Sequence, residues 1–171
     1  MSIKLNNVRL SFPSLFQKAQ FDGTETKYEA TFLLDKVKHA AVIKQIEEAI
    51  AAKIASDLKG AKVPANKLCL RDGDEVEYDG YAGHMTLKAS SKKRPLILNK
   101  DKSPLVEADG VIYSGCYVNA IIDLWAQDNQ FGKRINATLL GVQFASDGDA
   151  FASGGSGVSV DDFDDLDNEA F

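Results

Sequence analysis

The chain has 171 residues, with 20 Lys and Arg against 25 Asp and Glu and 44% hydrophobic residues, enough to bury the core of one domain with an appendage. Its two cysteines and two histidines are scattered, which argues against a disulfide framework or a zinc site. The N-terminus carries no signal peptide, and no apolar run approaches the roughly 20 residues that cross a bilayer. We therefore expect a soluble, intracellular protein without membrane contact, cofactor or metal.

The net charge of −5 hides a segregation of charge along the chain. Residues 1–146 hold all 20 basic side chains and 17 of the 25 acidic ones, whereas the stretch from Asp147 onward holds eight acids and no base. A mildly basic body followed by a strongly acidic tail indicates a polyanionic partner for the body and an interaction role for the tail.

Two half-buried strands are predicted near the start of the chain. Residues 3–12 alternate with a period of two, but the inward parity changes at Asn6-Asn7 and then places Val8, Leu10 and Phe12 together. Such a change of parity indicates a bulge. Residues 28–34 alternate in the same way and predict the second strand.

One convincing helix follows, predicted over residues 36–59. Apolar residues recur there at three- and four-residue steps opposite a charged face, as in a helix that packs one side on a sheet. Asp35 is a candidate N-cap, and Gly60 is a candidate stop signal. We expect this helix to pack on the sheet rather than bind a partner.

An acidic segment, two tyrosines and a basic run come next. Residues 72–79 hold five acids, typical of a solvated turn; the alternative is the metal site of a nuclease. Tyr78 and Tyr81 lie at its end, before a strand that starts near residue 84. Residues 88–102 then hold a single acid and six basic residues, which are Lys88, Lys92, Lys93, Arg94, Lys100 and Lys102. Such a run can protect a sheet edge, but its closeness to two tyrosines favours contact with phosphates.

The clearest two-sided pattern lies in residues 111–126. With a period of two, one face is apolar and forms core. The other face carries aromatic rings between polar groups, at Tyr113, Tyr117, Asn119, Asp123 and Trp125. Nucleobases stack on such rings whatever their identity. The alternative is that the rings pack under a neighbouring loop, since aromatic residues are common in strands.

A returning antiparallel strand is predicted over residues 133–144. It places Arg134, Asn136 and Thr138 on the face that carries the rings, and Gly141 marks a bulge. The same face would then combine rings, hydrogen-bonding groups and a cation.

The composition changes beyond Ala145. Residues 146–160 are Gly- and Ser-rich and predict a flexible linker, whereas residues 161–171 carry too much like charge to fold alone. We therefore expect a domain over residues 1–145, followed by the linker and the acidic tail. A terminal ring beside a carboxylate suits a basic-rimmed apolar pocket, so the predicted partner-binding residues are Asp161, Asp162, Phe163, Asp164, Asp165 and Phe171.

Three segments carry a resemblance to a known family: SFPSLFQ, YDGYAG…LKASSKKRP and YSGCYVNAIIDLWAQDN…LLGVQFASDGDAF. The chain resembles bacteriophage single-stranded DNA-binding proteins, in a family formerly described as a domain of unknown function. The resemblance implies a mainly β fold, an OB-fold-like antiparallel barrel with one long amphipathic helix and a disordered acidic C-terminal tail. It also implies sequence-independent coating of single-stranded DNA in replication or recombination. That role would be exercised in the cytoplasm of the infected bacterial host, with replication proteins recruited through the tail.

Strand parity, rather than the resemblance, supplies the site residues. Base stacking is predicted for Tyr78, Tyr81, Tyr113, Tyr117 and Trp125. Phosphate contacts are predicted for Lys88, Lys92, Lys93, Arg94, Lys100, Lys102 and Arg134. The 15-residue linker has a reach of about 20 Å, so we expect the tail to compete with DNA for the same basic groove.

Two other classes of function stay open. The chain can be a protein-interaction module that acts through the acidic tail without binding nucleic acid. An enzyme acting on nucleic acid has weaker support, because the sequence contains neither a P-loop nor a zinc-deaminase signature. RNA is an alternative ligand, because stacking surfaces alone do not exclude it. A monomer or dimer is expected, since no second apolar surface is obvious.

Overall fold

Nine strands and one helix of more than one turn make up the described part of the chain. A computed structural model describes residues 2–21, 23–75, 78, 80–130 and 132–151. The elements are β1 (Ser2–Ser14), β2 (Gln20–Phe21), β3 (Thr24–Glu25), β4 (Tyr28–Asp35), α1 (Ala40–Asp57), β5 (Leu70–Asp72), β6 (His84–Ser91), β7 (Leu96–Leu98), β8 (Tyr117–Asn129) and β9 (Gly132–Ser146).

Five of these strands close into a ring. The sheet order is β5-β6-β4-β1-β8-β9-β7, and an additional pairing of β6 with β9 joins the two ends of the five-strand core. Neighbours are antiparallel except for β6 with β9 and β7 with β9, which are parallel. A partly open five-stranded barrel of this kind is the OB-fold architecture. The predicted mainly β, OB-fold-like barrel with one long helix is confirmed; the predicted disordered tail lies outside the described residues.

The barrel interior is filled by the apolar faces that strand parity predicts. Cys116, Val118, Ala120, Ile122 and Leu124 are all buried at the β8 side of the core. The β9 residues Ile135, Ala137, Leu139, Val142 and Phe144 are buried opposite them. Fully burying one side chain such as Ile122 contributes roughly 1.5 to 3 kcal/mol, so this packing fixes the strand register.

The helix packs one face on the barrel but starts later than predicted. Ile43, Ile46 and Ile50 are its buried residues. Asp35 is not its N-cap: the Asp35 carboxylate accepts hydrogen bonds from the N–H groups of Val37 at 2.9 Å and Lys38 at 3.0 Å. These bonds close a turn before the helix and lower the pKa of Asp35. None of the helices in the described ranges is long and apolar enough to span a membrane.

Both predicted bulges are present. The β1–β8 register shifts between Leu5 and Val8, around Asn7, which has a φ of 54°. In the β8–β9 pair, Ile121 lies opposite Gly141 and Ile122 opposite Leu139, so the extra residue is Leu140, one position before the predicted glycine.

The aromatic strand is shorter than predicted. It starts at Tyr117 rather than near residue 111, because a turn at Ser114 and Gly115 precedes it. Gly115 has a φ of 111°, in the left-handed region that favours glycine. Tyr113 therefore does not belong to the row of residues on β8.

Candidate nucleic-acid interface

A groove of about 1130 Å³ crosses the outer face of the barrel. Its floor comes from β4, β6 and β9, and its walls come from the end of β1, the segment 65–72 and the loop before β6. We call it the barrel groove. It is lined by Phe12, Thr26, Lys27, Glu29, Thr31, residues 65–72, Glu75, Tyr78, Tyr81, Met85, Thr86, Lys88, Ser90, Arg134, Asn136 and Ala137.

The strand register aligns residues of all five barrel strands in one transverse row. Ser11 of β1 pairs with Thr31 of β4, which pairs with Lys88 of β6. Ala89 pairs with Ala137, which places Lys88 beside Asn136. Asn136 lies opposite Trp125 of β8. Adjacent strands are about 4.8 Å apart, so the four steps of the row measure roughly 19 Å along the curved surface of the barrel.

Three aromatic rings form one end of this row. Phe12 and Tyr78 are 53% and 57% exposed, and their ring centroids lie 5.3 Å apart at 74°. Tyr78 also meets Tyr81 edge to face, with centroids 5.2 Å apart. Each such aromatic pair contributes roughly 0.5 to 1.5 kcal/mol beyond area burial, which helps hold Tyr78 beside the groove.

Tyr81 does not fit its predicted stacking role. Only 4% of the residue is exposed, and its hydroxyl shares a hydrogen bond with the Ser11 hydroxyl at 2.9 Å. Burial raises the pKa of this phenol. The ring supports Tyr78 from below instead of offering a face to a ligand.

Phe12 is an exposed ring that strand parity does not predict. Parity places it inward after Val8 and Leu10, but Phe12 has a φ of 48°. The β1–β4 register also shifts between Ser11 and Ser14. The backbone therefore leaves the regular pleat, and the side chain turns outward. Neighbouring Pro13 is a local signal of irregularity, since proline fixes its own φ and restricts the residue before it.

The other end of the row carries Trp125, which is 41% exposed. Residues directly opposite in an antiparallel pair have Cβ atoms about 4.5 to 5.5 Å apart, so Trp125 adjoins Asn136. The next outward pair is Gln127 with Arg134. The Asn136 amide donates a hydrogen bond to the Gln127 side chain at 3.0 Å, which orders the polar groups between the indole and the cation.

The lining of the groove is more basic than acidic. It holds the basic residues Lys27, Lys67, Arg71, Lys88 and Arg134 and the acids Glu29, Asp72 and Glu75. Two of those acids face lysines: Glu29 lies 3.5 Å from Lys88 and Asp72 lies 2.7 Å from Lys36. Exposed pairs of this kind contribute little stability. Each lysine nevertheless neutralises a carboxylate that would otherwise repel a phosphate in the groove.

The acidic turn is organised around Lys36. Its ammonium group contacts Asp72 at 2.7 Å and Asp74 at 2.6 Å, and these hydrogen bonds lower the pKa of both carboxyls. In the described part of the chain, no three His, Cys, Asp or Glu side chains are arranged to hold a metal ion. Glu77 and Asp79 lie outside the described residues.

The predicted basic residues are divided between several places. Lys88 and Arg134 line the groove. The exposed Lys92, Lys93 and Arg94 form the turn after β6, beyond the groove lining, and the Arg94 guanidinium lies 5.6 Å from the Phe16 ring centroid. Lys100 and Lys102 follow β7 outside the groove, where the Lys100 ammonium lies 5.6 Å from the Phe144 ring centroid.

Three basic residues in the groove lining were not predicted: Lys27, Lys67 and Arg71. Arg71 also builds the wall, because its guanidinium donates to the carbonyls of Leu68 at 3.0 Å and Asn66 at 2.6 Å. Its position beside the Asp-Gly-Asp turn is the local signal for such a role.

Tyr113 and Tyr117 lie away from the groove, under residues 147–151, which we call the strap. The Tyr113 hydroxyl donates to the Asp147 carboxylate at 2.8 Å and accepts from the Gly148 N–H at 3.1 Å. Desolvation raises the pKa of this phenol. The Tyr117 ring packs near Gly148, with the Arg9 guanidinium 6.0 Å from its centroid. The predicted stacking role of these two rings does not fit their positions. Both rings contact a neighbouring segment of the chain, which is the alternative given above.

The strap also revises the boundary of the body. The composition predicts a linker from residue 146, but β9 includes Ser146 and the strap contacts the barrel. The remaining linker and the predicted tail residues, including Phe163 and Phe171, lie outside the described residues.

Comparison with known proteins gives close matches over nearly the full length. Protein p50 of Acyrthosiphon pisum secondary endosymbiont phage 1 is 47% identical, covering 97% of this chain and 94% of p50. The structure of the single-stranded DNA-binding protein from bacteriophage Enc34 is 35% identical, with a TM-score of 0.80 over 94% of this chain and 88% of that chain.

The structure of the same Enc34 protein in complex with single-stranded DNA is 36% identical to this chain, with a TM-score of 0.79 over 88% of this chain and 89% of that chain. The family model described as Enterobacter phage Enc34, ssDNA-binding protein, matches residues 1–171. On this full-length match, the chain belongs to the family of phage single-stranded DNA-binding proteins represented by that of phage Enc34.

Proposed function

We propose that this protein binds single-stranded DNA through the barrel groove, without sequence preference, and coats and protects it during phage replication or recombination. The observation that carries the proposal is the transverse row, which has exposed rings at both ends, Lys88 at its middle and Arg134 beside it. Membership of the family and the similarity to a protein solved with single-stranded DNA support it. The site of action would be the cytoplasm of the infected bacterial host.

Stacking would supply the sequence-tolerant part of the affinity. Bases would stack on Phe12 and Tyr78 at one end and on Trp125 at the other, each contributing roughly 1 to 3 kcal/mol. Every base has a stacking face, so these contacts do not select a sequence. An OB fold covers roughly 4 to 16 nucleotides, and a row of about 19 Å fits the lower part of that range.

Charge would supply the salt-dependent part. Lys88 and Arg134 lie between the aromatic ends, where the phosphates of a strand stacked on both would pass. Each phosphate neutralised on a single strand contributes about −0.7 to the slope of log affinity against log salt. Lys92, Lys93, Arg94, Lys100 and Lys102 would contact DNA that extends beyond the groove.

The acidic tail would recruit replication or recombination proteins and compete with DNA for the groove. Its starting point supports the competition, because the strap ends at Phe151 against Gly80, in the loop that carries Tyr78. A flexible chain as long as residues 152–160 would reach about 17 Å, enough to bring the predicted tail to the groove. The protein would act as a monomer or dimer.

Fluorescence anisotropy of labelled oligo(dT) tests both parts of this proposal. We expect salt-sensitive binding to oligo(dT), weaker binding to a duplex of equal length, and tighter binding by a chain ending at Phe151. That shorter chain keeps all of the described strands and the strap. Equal affinities of the two chains at low salt would contradict tail competition. Absence of binding by both would contradict the DNA-binding proposal and leave a protein-interaction role for the tail.

A further inference from the structure

The strap is attached to the outside of the barrel by specific contacts. The Phe151 N–H donates to the Ser114 carbonyl at 3.0 Å. The Arg9 guanidinium donates to the Gly115 carbonyl at 3.1 Å and the Asp149 carbonyl at 2.5 Å. Its central carbon also lies 4.1 Å from the Phe151 ring centroid, within the range of a cation–π contact. One arginine therefore joins the strap to β1 and to the turn before β8.

Two glycines leave the space in which the strap packs on the barrel. A Cβ atom at Gly80 would lie 2.5 Å from Cε1 of Phe151, and a Cβ at Gly115 would lie 2.2 Å from the Asp149 carbonyl oxygen. Real Cβ contacts essentially never come this close. The Phe151 ring therefore packs directly on the backbone of the loop at Gly80.

That loop contacts the strap and also contributes residues to the barrel groove. Gly80, which contacts Phe151, stands between Tyr78 and Tyr81, which line the groove. Tyr78 lies outside any regular element, so its position depends on the packing of this loop. Phe12 and Tyr81 contact the Tyr78 ring, and Phe151 packs on the same loop at Gly80.

We propose that the strap is a positioning element of the DNA interface: Phe151, held on Arg9, supports the loop that presents Tyr78 to the groove. The inference rests on the proposed function. It makes Phe151 and Arg9 positioning residues that act through Tyr78 without touching DNA. Because coupling between two sites is reciprocal, bound DNA would also stabilise the docked strap.

A double-mutant cycle in the full-length chain tests this mechanism. Phe151→Ala should weaken oligo(dT) binding about three- to tenfold, less than the complete loss of one stacking contact in Tyr78→Ala. In the Tyr78→Ala background, the same Phe151→Ala change should have no further effect on affinity, because its route of action is already absent. If Phe151 had only a structural role, Phe151→Ala would lower stability in both backgrounds, and its effect on affinity would not depend on Tyr78.

Ile54→Ala is the control for general destabilisation. Ile54 packs against the core from the helix, and it does not line the groove. This substitution should lower the unfolding temperature and leave DNA affinity unchanged. Arg9→Lys should act like Phe151→Ala but more weakly, since lysine keeps the charge and loses the planar, multidentate contact.

Three outcomes separate the possibilities. Weakened binding by Phe151→Ala that vanishes in the Tyr78→Ala background supports the positioning role. Unchanged affinity of Phe151→Ala, or an equal loss in both backgrounds, overturns it while the DNA-binding proposal stands. Failure of the unaltered chain to bind oligo(dT) overturns the proposed function and the positioning role with it.

Discussion

The barrel carries two surfaces that combine aromatic rings with basic residues, and they differ in what already contacts the rings. At the groove, Phe12 and Tyr78 are largely exposed beside a surface that includes Lys88 and Arg134. On the strap-covered surface, Tyr113 hydrogen-bonds to residues 147 and 148. The residue types are similar on both surfaces, so the availability of the rings decides which surface is suited to DNA.

The difference has a simple physical basis. An exposed ring gains a contact when a base stacks on it, whereas a ring already packed on its own chain must first lose one contact to form another. The guanidinium of Arg9 is likewise occupied by two carbonyl groups and a ring. The comparison predicts that substitutions of the exposed groove rings reduce affinity, whereas substitutions of Tyr113 and Tyr117 under the strap act mainly through stability.

Replacing Tyr78 gives the largest expected effect and tests the difference between the two surfaces most directly. Tyr78→Ala should weaken oligo(dT) binding by about 1 to 3 kcal/mol, since it removes an exposed stacking face. Tyr117→Ala, beneath the strap, should give a fold-change in affinity at least five times smaller than that of Tyr78→Ala. Anisotropy titrations at one salt concentration measure both, and equal losses would contradict the distinction between the two surfaces.

Removing the groove cations should change the salt dependence of binding. Lys88→Ala and Arg134→Ala should each reduce the slope of log affinity against log salt by about 0.7, the value for one phosphate contact on a single strand. Lys44→Ala, on the exposed face of α1, provides a matched control and should leave the slope unchanged. Reductions of the same size in all three variants would indicate a non-specific charge effect.

Substitutions of two glycines in one loop test how closely the strap packs on the barrel. Gly80 and Gly83 have φ values of 80° and 75°, and alanine in that region costs about 1 to 2 kcal/mol. Only at Gly80 does the added Cβ meet Phe151; nothing lies within 4 Å at Gly83. Denaturant unfolding should therefore show a larger stability loss for Gly80→Ala, and its DNA affinity should fall as well. Indistinguishable behaviour of the two variants would contradict close packing of the strap.

The smallest expected effect concerns acid stability beside the groove. Hydrogen bonds from Lys36 lower the pKa of Asp72 and Asp74, so their contribution is present above the ordinary carboxyl pKa. It is lost as the pH falls through the lowered folded-state values. Thermal unfolding of Lys36→Met should show less destabilisation on acidification than the unaltered chain, with Lys44→Met as control. An unchanged acid dependence would contradict the assigned role of Lys36.

Local periodicity accounts for much of the fold and for only part of the site. Alternation along β8 and β9 predicts their buried faces, because the side-chain period of a strand follows from its geometry. It misplaces Phe12 and Tyr113, where a positive φ and a turn interrupt that period. The burial of Tyr81 and the docking of the strap depend on contacts between residues distant in sequence, which periodicity does not encode.

The most direct test of the transverse row uses intrinsic fluorescence, since Trp125 is the one tryptophan of the chain. The row runs from Phe12 and Tyr78 to Trp125, so bound DNA should stack on the indole. Titration with unlabelled oligo(dT) should quench tryptophan emission with the midpoint found by anisotropy. Saturated binding with unchanged emission would contradict a DNA path that crosses all five barrel strands.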